Sequence, residues 1–210
     1  MAITVTKNGY GQVEMNQVVA QKSGAIFASL PLDNNVNVLE NGSFMYYSGV
    51  LGKVTSTATG AGITEPYLIY NEVKLYDGNR NTLKDFALIR VGDNYITSDN
   101  RFPLRTVGGA PVETPTTILP KTDNSYRMDG FAPRCYKTQI GDILTTNMVA
   151  SGSYSVGDQL YVKEDTTNHV GVLTNVSGET PDASNTMRWV VIKETTMPDG
   201  QPALKLQRVA

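Results

Sequence analysis

The residue types that could do chemistry are few in this chain. His169 is the only histidine and Cys135 the only cysteine. A nucleophile needs a base to activate it and a third group to orient that base, so a Ser-His-Asp or Cys-His site would have to converge on His169. It stands in Thr166-Thr167-Asn168-His169-Val170, which reads as a hairpin loop, and a solvated loop histidine is favoured over a general base or metal ligand. Cys135, in Pro133-Arg134-Cys135-Tyr136, lies at an expected strand start, where only Arg134 could lower a thiol pKa. A buried thiol is favoured there over a nucleophile. A single cysteine also excludes an intrachain disulfide and a zinc site of several thiolates.

Two converging carboxylates would suffice for glycoside hydrolysis. Asp93, Asp142 and Asp158 each follow a glycine, and an Asp in such a turn is explained by hydrogen bonds to the turn backbone. Asp123-Asn124-Ser125 lacks the alternating oxygen ligands and closing Glu of a calcium loop. Gly60-Ala61-Gly62 and Gly108-Gly109 lack the Lys-Ser/Thr or strand-to-helix context of a phosphate cradle. The expectation is a chain that is not an enzyme, with no catalytic, cofactor-binding or metal-ligating residues.

The elements that would position any site are announced by a recurring pattern: an apolar residue, Gly-Asp, then a strand-like run. It occurs at Val91-Gly92-Asp93, Ile140-Gly141-Asp142 and Val156-Gly157-Asp158, with a looser copy at Glu40-Asn41-Gly42-Ser43. Glycine supplies the positive φ of a tight turn, so each copy reads as a corner that launches a strand. Strand-like segments fall at 3–5, 25–30, 43–47, 67–70, 86–91, 94–96, 134–138, 142–145, 159–163, 170–174, 188–193 and 203–209. They are rich in β-branched and aromatic residues and are separated by Gly, Asn, Asp, Ser or Pro. Residues 10–21 come nearest to a helical stripe, and 76–84 could hold a turn or two of helix.

Prolines 103, 111, 115, 120 and 133, with Gly108 and Gly109, crowd residues 102–133. Proline offers no amide donor to a central strand, so this stretch reads as an extended connector or docking arm. The expected fold is therefore all-β: two small β-barrel or sandwich-like domains, 1–101 and 134–210, joined by a Pro/Gly-rich extended connector at 102–133. Asn41 to Thr55 and Gly157 to Thr174 both read as a strand entered from a tight turn and followed by a hairpin return, a likeness that two related barrels or chance would equally explain.

With 18 basic and 20 acidic residues and a net charge of −2, the chain has no electrostatic footprint for a nucleic-acid backbone, so direct nucleic-acid binding is not expected. The opening Met-Ala-Ile-Thr-Val-Thr-Lys-Asn-Gly has no basic segment followed by an apolar one, and no run approaches the roughly 18 apolar residues of a membrane span. We expect synthesis in a reducing cytoplasm and no membrane partner. Tyrosine stands out, with 11 against five Phe and one Trp, and it suits an interface or an outward strand face alike. Trp189 is expected to pack inside.

The run Tyr67-Leu68-Ile69-Tyr70-Asn71-Glu72-Val73-Lys74-Leu75-Tyr76-Asp77, continued by Lys84-Asp85-Phe86-Ala87-Leu88, resembles a stretch of capsid-associated structural proteins of tailed bacteriophages. Glu40 to Phe44 and Tyr136 to Asn147 are similar to the same family, and the resemblance spans roughly residues 38–175. It implies a capsid decoration (cement or auxiliary head) protein: a structural virion protein, made in the host bacterial cytoplasm, that sits on the outer capsid surface and bridges major capsid protein subunits. Neighbouring copies of itself, as a homo-oligomer such as a trimer, would be the other partner. The residues expected to meet the shell are Tyr67, Tyr70, Tyr76, Phe102, Leu104, Ile118, Leu119 and Tyr126. A head-fibre base, a tail or neck accessory protein, and a surface carbohydrate- or receptor-binding module are the alternatives; the chain lacks the long fibrous repeat of a fibre.

Overall fold

The computed structural model describes residues 2–8, 10–33, 35–71, 88–90, 94–96, 106–107, 110–111, 118–120, 132–175 and 185–210. Its elements are short strands and one helical turn. They begin with β1 (Ile3–Val5), β2 (Val13–Gln17), α1 (Val19–Ser23), β3 (Ile26–Phe27), β4 (Val38–Glu40), β5 (Phe44–Ser48), β6 (Lys53–Thr55) and β7 (Tyr67–Ile69). Described by backbone pairing alone are β8 (Leu88–Arg90), β9 (Asn94–Ile96), β10 (Thr106–Val107), β11 (Ala110–Pro111) and β12 (Ile118–Pro120). The chain continues through β13 (Cys135–Tyr136), β14 (Ile143–Thr146), β15 (Gly152–Tyr154), β16 (Gln159–Asp165), β17 (Val170–Thr174), β18 (Trp189–Thr196) and β19 (Pro202–Arg208).

The repeated corner is a physical unit. In Glu40–Ser43, Gln139–Asp142 and Ser155–Asp158 the third residue is a glycine at φ +90, +95 and +95. The fourth residue donates its N–H to the first residue's carbonyl, at 3.2, 3.0 and 3.1 Å, closing a turn that needs positive φ at its third position. Each corner then docks on a neighbouring strand in the same way. The glycine N–H donates to one residue's carbonyl and that residue's N–H donates back to the corner's last carbonyl: Ile69 for Gly42 and Ser43, Arg208 for Gly141 and Asp142, Val191 for Gly157 and Asp158. Asp142 and Asp158 also accept the first residue's N–H on Oδ2, at 2.8 and 2.9 Å. Ser43 stands at the equivalent place, and its hydroxyl is buried without a partner among the described residues. The copy at Val91 to Asp93 lies outside the described residues, as does the expected helical turn at 76–84.

These corners feed one curled sheet in the order β2-β14-β19-β18-β16-β17-β5-β7-β13-β3, with β6 paired to β5. Its end strands, β2 and β3, are consecutive in the chain and joined by α1. The helical turn thus spans the open side of a half-barrel. Asp142 Oδ1 accepts the Val19 N–H at 3.0 Å at the start of α1, and Gly24, at φ +71, ends the helix with its N–H on Ala20 O at 3.0 Å. Ala20 is fully buried. Within residues 10–21 the helix is confined to 19–21, because pairing of β2 with β14 takes Val13–Gln17 into the sheet and overrides a weak helical stripe.

Successive residues of β5 and β7 face opposite ways and so serve two cores. Phe44 and Leu68 join Val5, Leu144, Leu160, Trp189 and Leu206 inside the curl. Met45 and Ile69 join Leu39, Val54, Cys135 and Val170 on the other face. Trp189 packs on Phe44 with centroids 5.9 Å apart. Gly171 lets β17 meet β5, since a Cβ there would lie 2.4 Å from Phe44 O.

The all-β expectation matches this architecture; the two-domain arrangement is not confirmed. Described strands from both sides of 102–133 alternate in one sheet and share the core inside the curl. β7 and β13 are adjacent, with Ile69 opposite Cys135 and Leu68 opposite Tyr136. The chain leaves β7 and returns to β13 at one place, where Asn71 Oδ1 accepts the Arg134 N–H at 3.0 Å. Between these points β8 pairs with β4, β9 with β12, and β10 with β11.

Candidate functional site

At the β3 end of the sheet the face bearing the second core carries three aromatic rings. Register fixes them there: Phe27 lies opposite Cys135, which lies opposite Ile69, so Phe27 shares a face with Ile69 and with Tyr67 two residues earlier. Tyr47 comes from β5. Ring centroids are 5.3 Å apart for Phe27 and Tyr47, 5.5 Å for Phe27 and Tyr67 in an edge-to-face arrangement, and 6.0 Å for Tyr47 and Tyr67. The Tyr47 hydroxyl is tied to Ser29 Oγ at 2.5 Å. Phe27 is 37% exposed on an edge strand, with both tyrosines half-buried beside it. The β5–β6 hairpin, in which Tyr47 lies opposite Val54, turns through Val50 and Leu51, 76% and 41% exposed. Ser48 fixes that tip by donating to Ala61 O at 2.6 Å and accepting the Leu51 N–H at 3.0 Å.

A pocket of about 260 Å³ adjoins the cluster through Tyr67 and is lined also by Ile63, Thr64, Glu65, Pro66, Lys137 and Thr138. Continuing the β7–β13 register by one residue sets Lys137 beside Tyr67. Two of the lining residues, Glu65 and Thr138, are tied together by Arg208, which is 4% exposed. Its guanidinium donates to Thr138 O and Oγ1, at 2.5 and 3.0 Å, to Ala210 O at 3.0 Å, and to Glu65 Oε1 at 2.9 Å. Burial, with Cys135, the Glu65 carboxylate and Tyr47 nearby, raises the Tyr67 phenol above its ordinary pKa, so the phenol stays neutral and able to donate. Arranged this way, the surface offers large, pre-ordered contact area and several hydrogen-bonding groups at one edge.

Of the residues expected to meet a partner, Tyr67 sits at the centre of this surface. Tyr70 does not join it: it lies half-buried against the core inside the curl, its ring edge-to-face with Tyr136 at 5.9 Å. Positions three apart on a strand point to opposite faces, which a tyrosine-rich run read without its register conceals. Ile118 and Leu119 lie in β12, opposite Ile96 and Tyr95. Tyr76, Phe102, Leu104 and Tyr126 lie outside the described residues. Phe27, Tyr47, Glu65, Lys137 and Arg208 were missed as members of a site because strand pairing, not sequence proximity, gathers them. The available signals were the abundance of tyrosine, which includes Tyr47, and an aromatic, Phe27, within an expected strand.

The chemically capable groups take part in structural contacts. His169, at φ +54 in the β16–β17 turn, places Nδ1 3.2 Å from Glu164 Oε1, and Ser56 donates to that same oxygen at 2.6 Å. Serine and histidine thus meet a carboxylate and not each other. Burial pushes the Cys135 thiol pKa up, and its sulfur faces Pro133 O at 3.6 Å. Asp142 and Asp158 spend their oxygens on corner N–H groups, Val19 N–H and the Asn175 amide. Among the described residues no group of three or more His, Cys, Asp or Glu is placed to hold a metal ion, and no helix is long and apolar enough to cross a membrane.

The chain matches no family model, no curated protein and no solved structure. The functional reading rests on the surface just described and on the resemblance in its sequence.

Proposed function

We propose that this chain is a structural virion protein that binds the outer surface of a tailed-phage capsid and stabilises the shell by bridging major capsid protein subunits, as a decoration (cement) protein. The observation that carries the docking part is the ring cluster Phe27, Tyr47 and Tyr67, held on a curled sheet beside a braced pocket. Aromatic anchors ordered before contact lose little entropy on binding, and such residues dominate interface energetics. The choice of a capsid as partner rests on the resemblance over residues 38–175. Many copies, each with a modest contact, would hold a shell firmly because a neighbouring site engages at high effective concentration. Neighbouring copies as a homo-oligomer, a capsid-surface location and synthesis in the host bacterial cytoplasm belong to the same proposal.

The test is to mix the purified protein with capsids lacking it and image them by cryo-electron microscopy at controlled stoichiometry. The proposal expects ordered density on the shell lattice with the Phe27–Tyr47–Tyr67 face against capsid subunits. Density confined to one vertex would move the assignment to a tail or neck role. No density would remove the capsid as partner.

A further inference from the structure

We infer that the pocket at the end of the β7–β13 pair, where the chain enters β7 and leaves β13, receives an acidic side chain of the docked partner, with Lys137 as its counter-charge; this rests on the docking reading above. The volume, about 260 Å³, suits one side chain and not a folded segment. Its charges settle the sign of that side chain. Arg208 and Glu65 neutralise each other at 2.9 Å, and three further Arg208 N–H groups go to Thr138 and Ala210. Lys137 is exposed and its ammonium is in none of the ion pairs among the described residues. It is the unmatched charge among the lining residues.

The other lining residues are compatible with that sign, since a hydroxyl can donate to a carboxylate. Thr64 and Tyr67, which carry hydroxyls, and Ile63 and Pro66, which are apolar and suit the methylenes of an incoming side chain, are among the lining residues. A carboxylate finds an ammonium and hydroxyl donors there. A basic side chain would meet Lys137 and find only Glu65, whose charge Arg208 already matches. An amide would gain the hydrogen bonds without the charge, which makes it the natural control.

The probes are N-acetyl-glutamate methylamide and N-acetyl-glutamine methylamide, titrated into the full chain and followed by amide NMR. The expected result is a saturable shift confined to residues 63–67 and 137–138 with the glutamate probe, absent with the glutamine probe and lost in Lys137→Gln. That variant keeps its fold, because the sheet uses only the Lys137 backbone N–H, bonded to Ala25 O. On capsids, Lys137→Gln should weaken binding about 5-fold, the upper end for one exposed ion pair, and flatten its salt dependence. Equal response to both probes, or a shift elsewhere, overturns the inference. So does undiminished and equally salt-sensitive capsid binding by the variant. Failure of the native protein to bind capsids would remove the docking reading, while the titration would still decide the pocket.

Discussion

Asp142→Ala should be among the most damaging single substitutions in this protein, although no core side chain is touched. Asp142 is 1% exposed and accepts two backbone N–H groups, Val19 at 3.0 Å and Gln139 at 2.8 Å. Hydrogen bonds to an ionised acceptor contribute about 1.5 kcal/mol or more each, and their donors here would be left poorly solvated, so the loss is about 3 kcal/mol. One bond closes the corner that launches β14; the other holds the start of α1 across the open side of the half-barrel. Asp158→Ala is the internal control. Its carboxylate makes the matching corner bond to Ser155 N–H and a second to Asn175, but it is half-buried, so water replaces part of the loss and about 1 kcal/mol is expected. Trp189, the only tryptophan, is fully buried and reports unfolding by fluorescence. In urea, with a slope of about 2 kcal/mol per molar, the Asp142→Ala midpoint should fall by about 1.5 M and that of Asp158→Ala by about 0.5 M. Equal shifts, or an Asp142→Ala shift under about 0.5 M, would refute the claim that this carboxylate ties the helix to the sheet.

Gly171→Ala should destabilise by about 2 kcal/mol or more, since the new Cβ would fall 2.4 Å from Phe44 O and 2.7 Å from Val162 Cγ1 and force β17 from β5; the urea midpoint reads it, and a neutral result would contradict the close approach. Replacing residues 73–132 by Asn-Gly should leave a cooperative Trp189 transition, because Asn71 and Arg134 already meet at 3.0 Å; loss of cooperativity would show that the sheet depends on the removed stretch. Asp33 should lend the protein an acid-sensitive stability. Desolvation raises its pKa, but hydrogen bonds from Lys53, Asn35 and Thr55 and the Lys53 charge, with Nζ at 2.7 Å, outweigh that and leave it lowered. A lowered carboxyl stabilises fully above its unfolded value of about 3.9 and loses that contribution as pH falls through the folded value. Lys53→Met should therefore narrow the difference in urea midpoint between pH 5 and pH 2.5, and an unchanged difference would exclude the pair as its source.

The corners were legible because they are local: Gly141-Asp142 and Gly157-Asp158 carry in four residues the conformational freedom and the acceptor that the turn uses. Most strands were legible for the same reason, through β-branched and aromatic runs between turn residues. Pairing was not. Val13 pairs with Thr146 and Phe44 with Gly171 across most of the chain, and no local preference encodes such partners. The proline-rich composition of 102–133 suggested a boundary between domains, yet Asn71 and Arg134 meet within one sheet. The site suffered most from this non-locality. Tyr67 and Tyr70 looked alike in sequence and fall on opposite faces, whereas Phe27, Tyr47 and Lys137 reach Tyr67 only through strand order.

The central claim is that the Phe27–Tyr47–Tyr67 face binds a capsid shell. The most direct measurement is occupancy by cryo-electron microscopy of capsids incubated with the native chain or with Phe27→Ala/Tyr47→Ala, each first shown to be folded by its Trp189 transition. Two anchors at about 1–2 kcal/mol each predict a 30-fold or greater loss of affinity. Lattice-wide density for the native chain, lost in the variant at matched concentration, is the predicted result; equal occupancy by both would contradict the account.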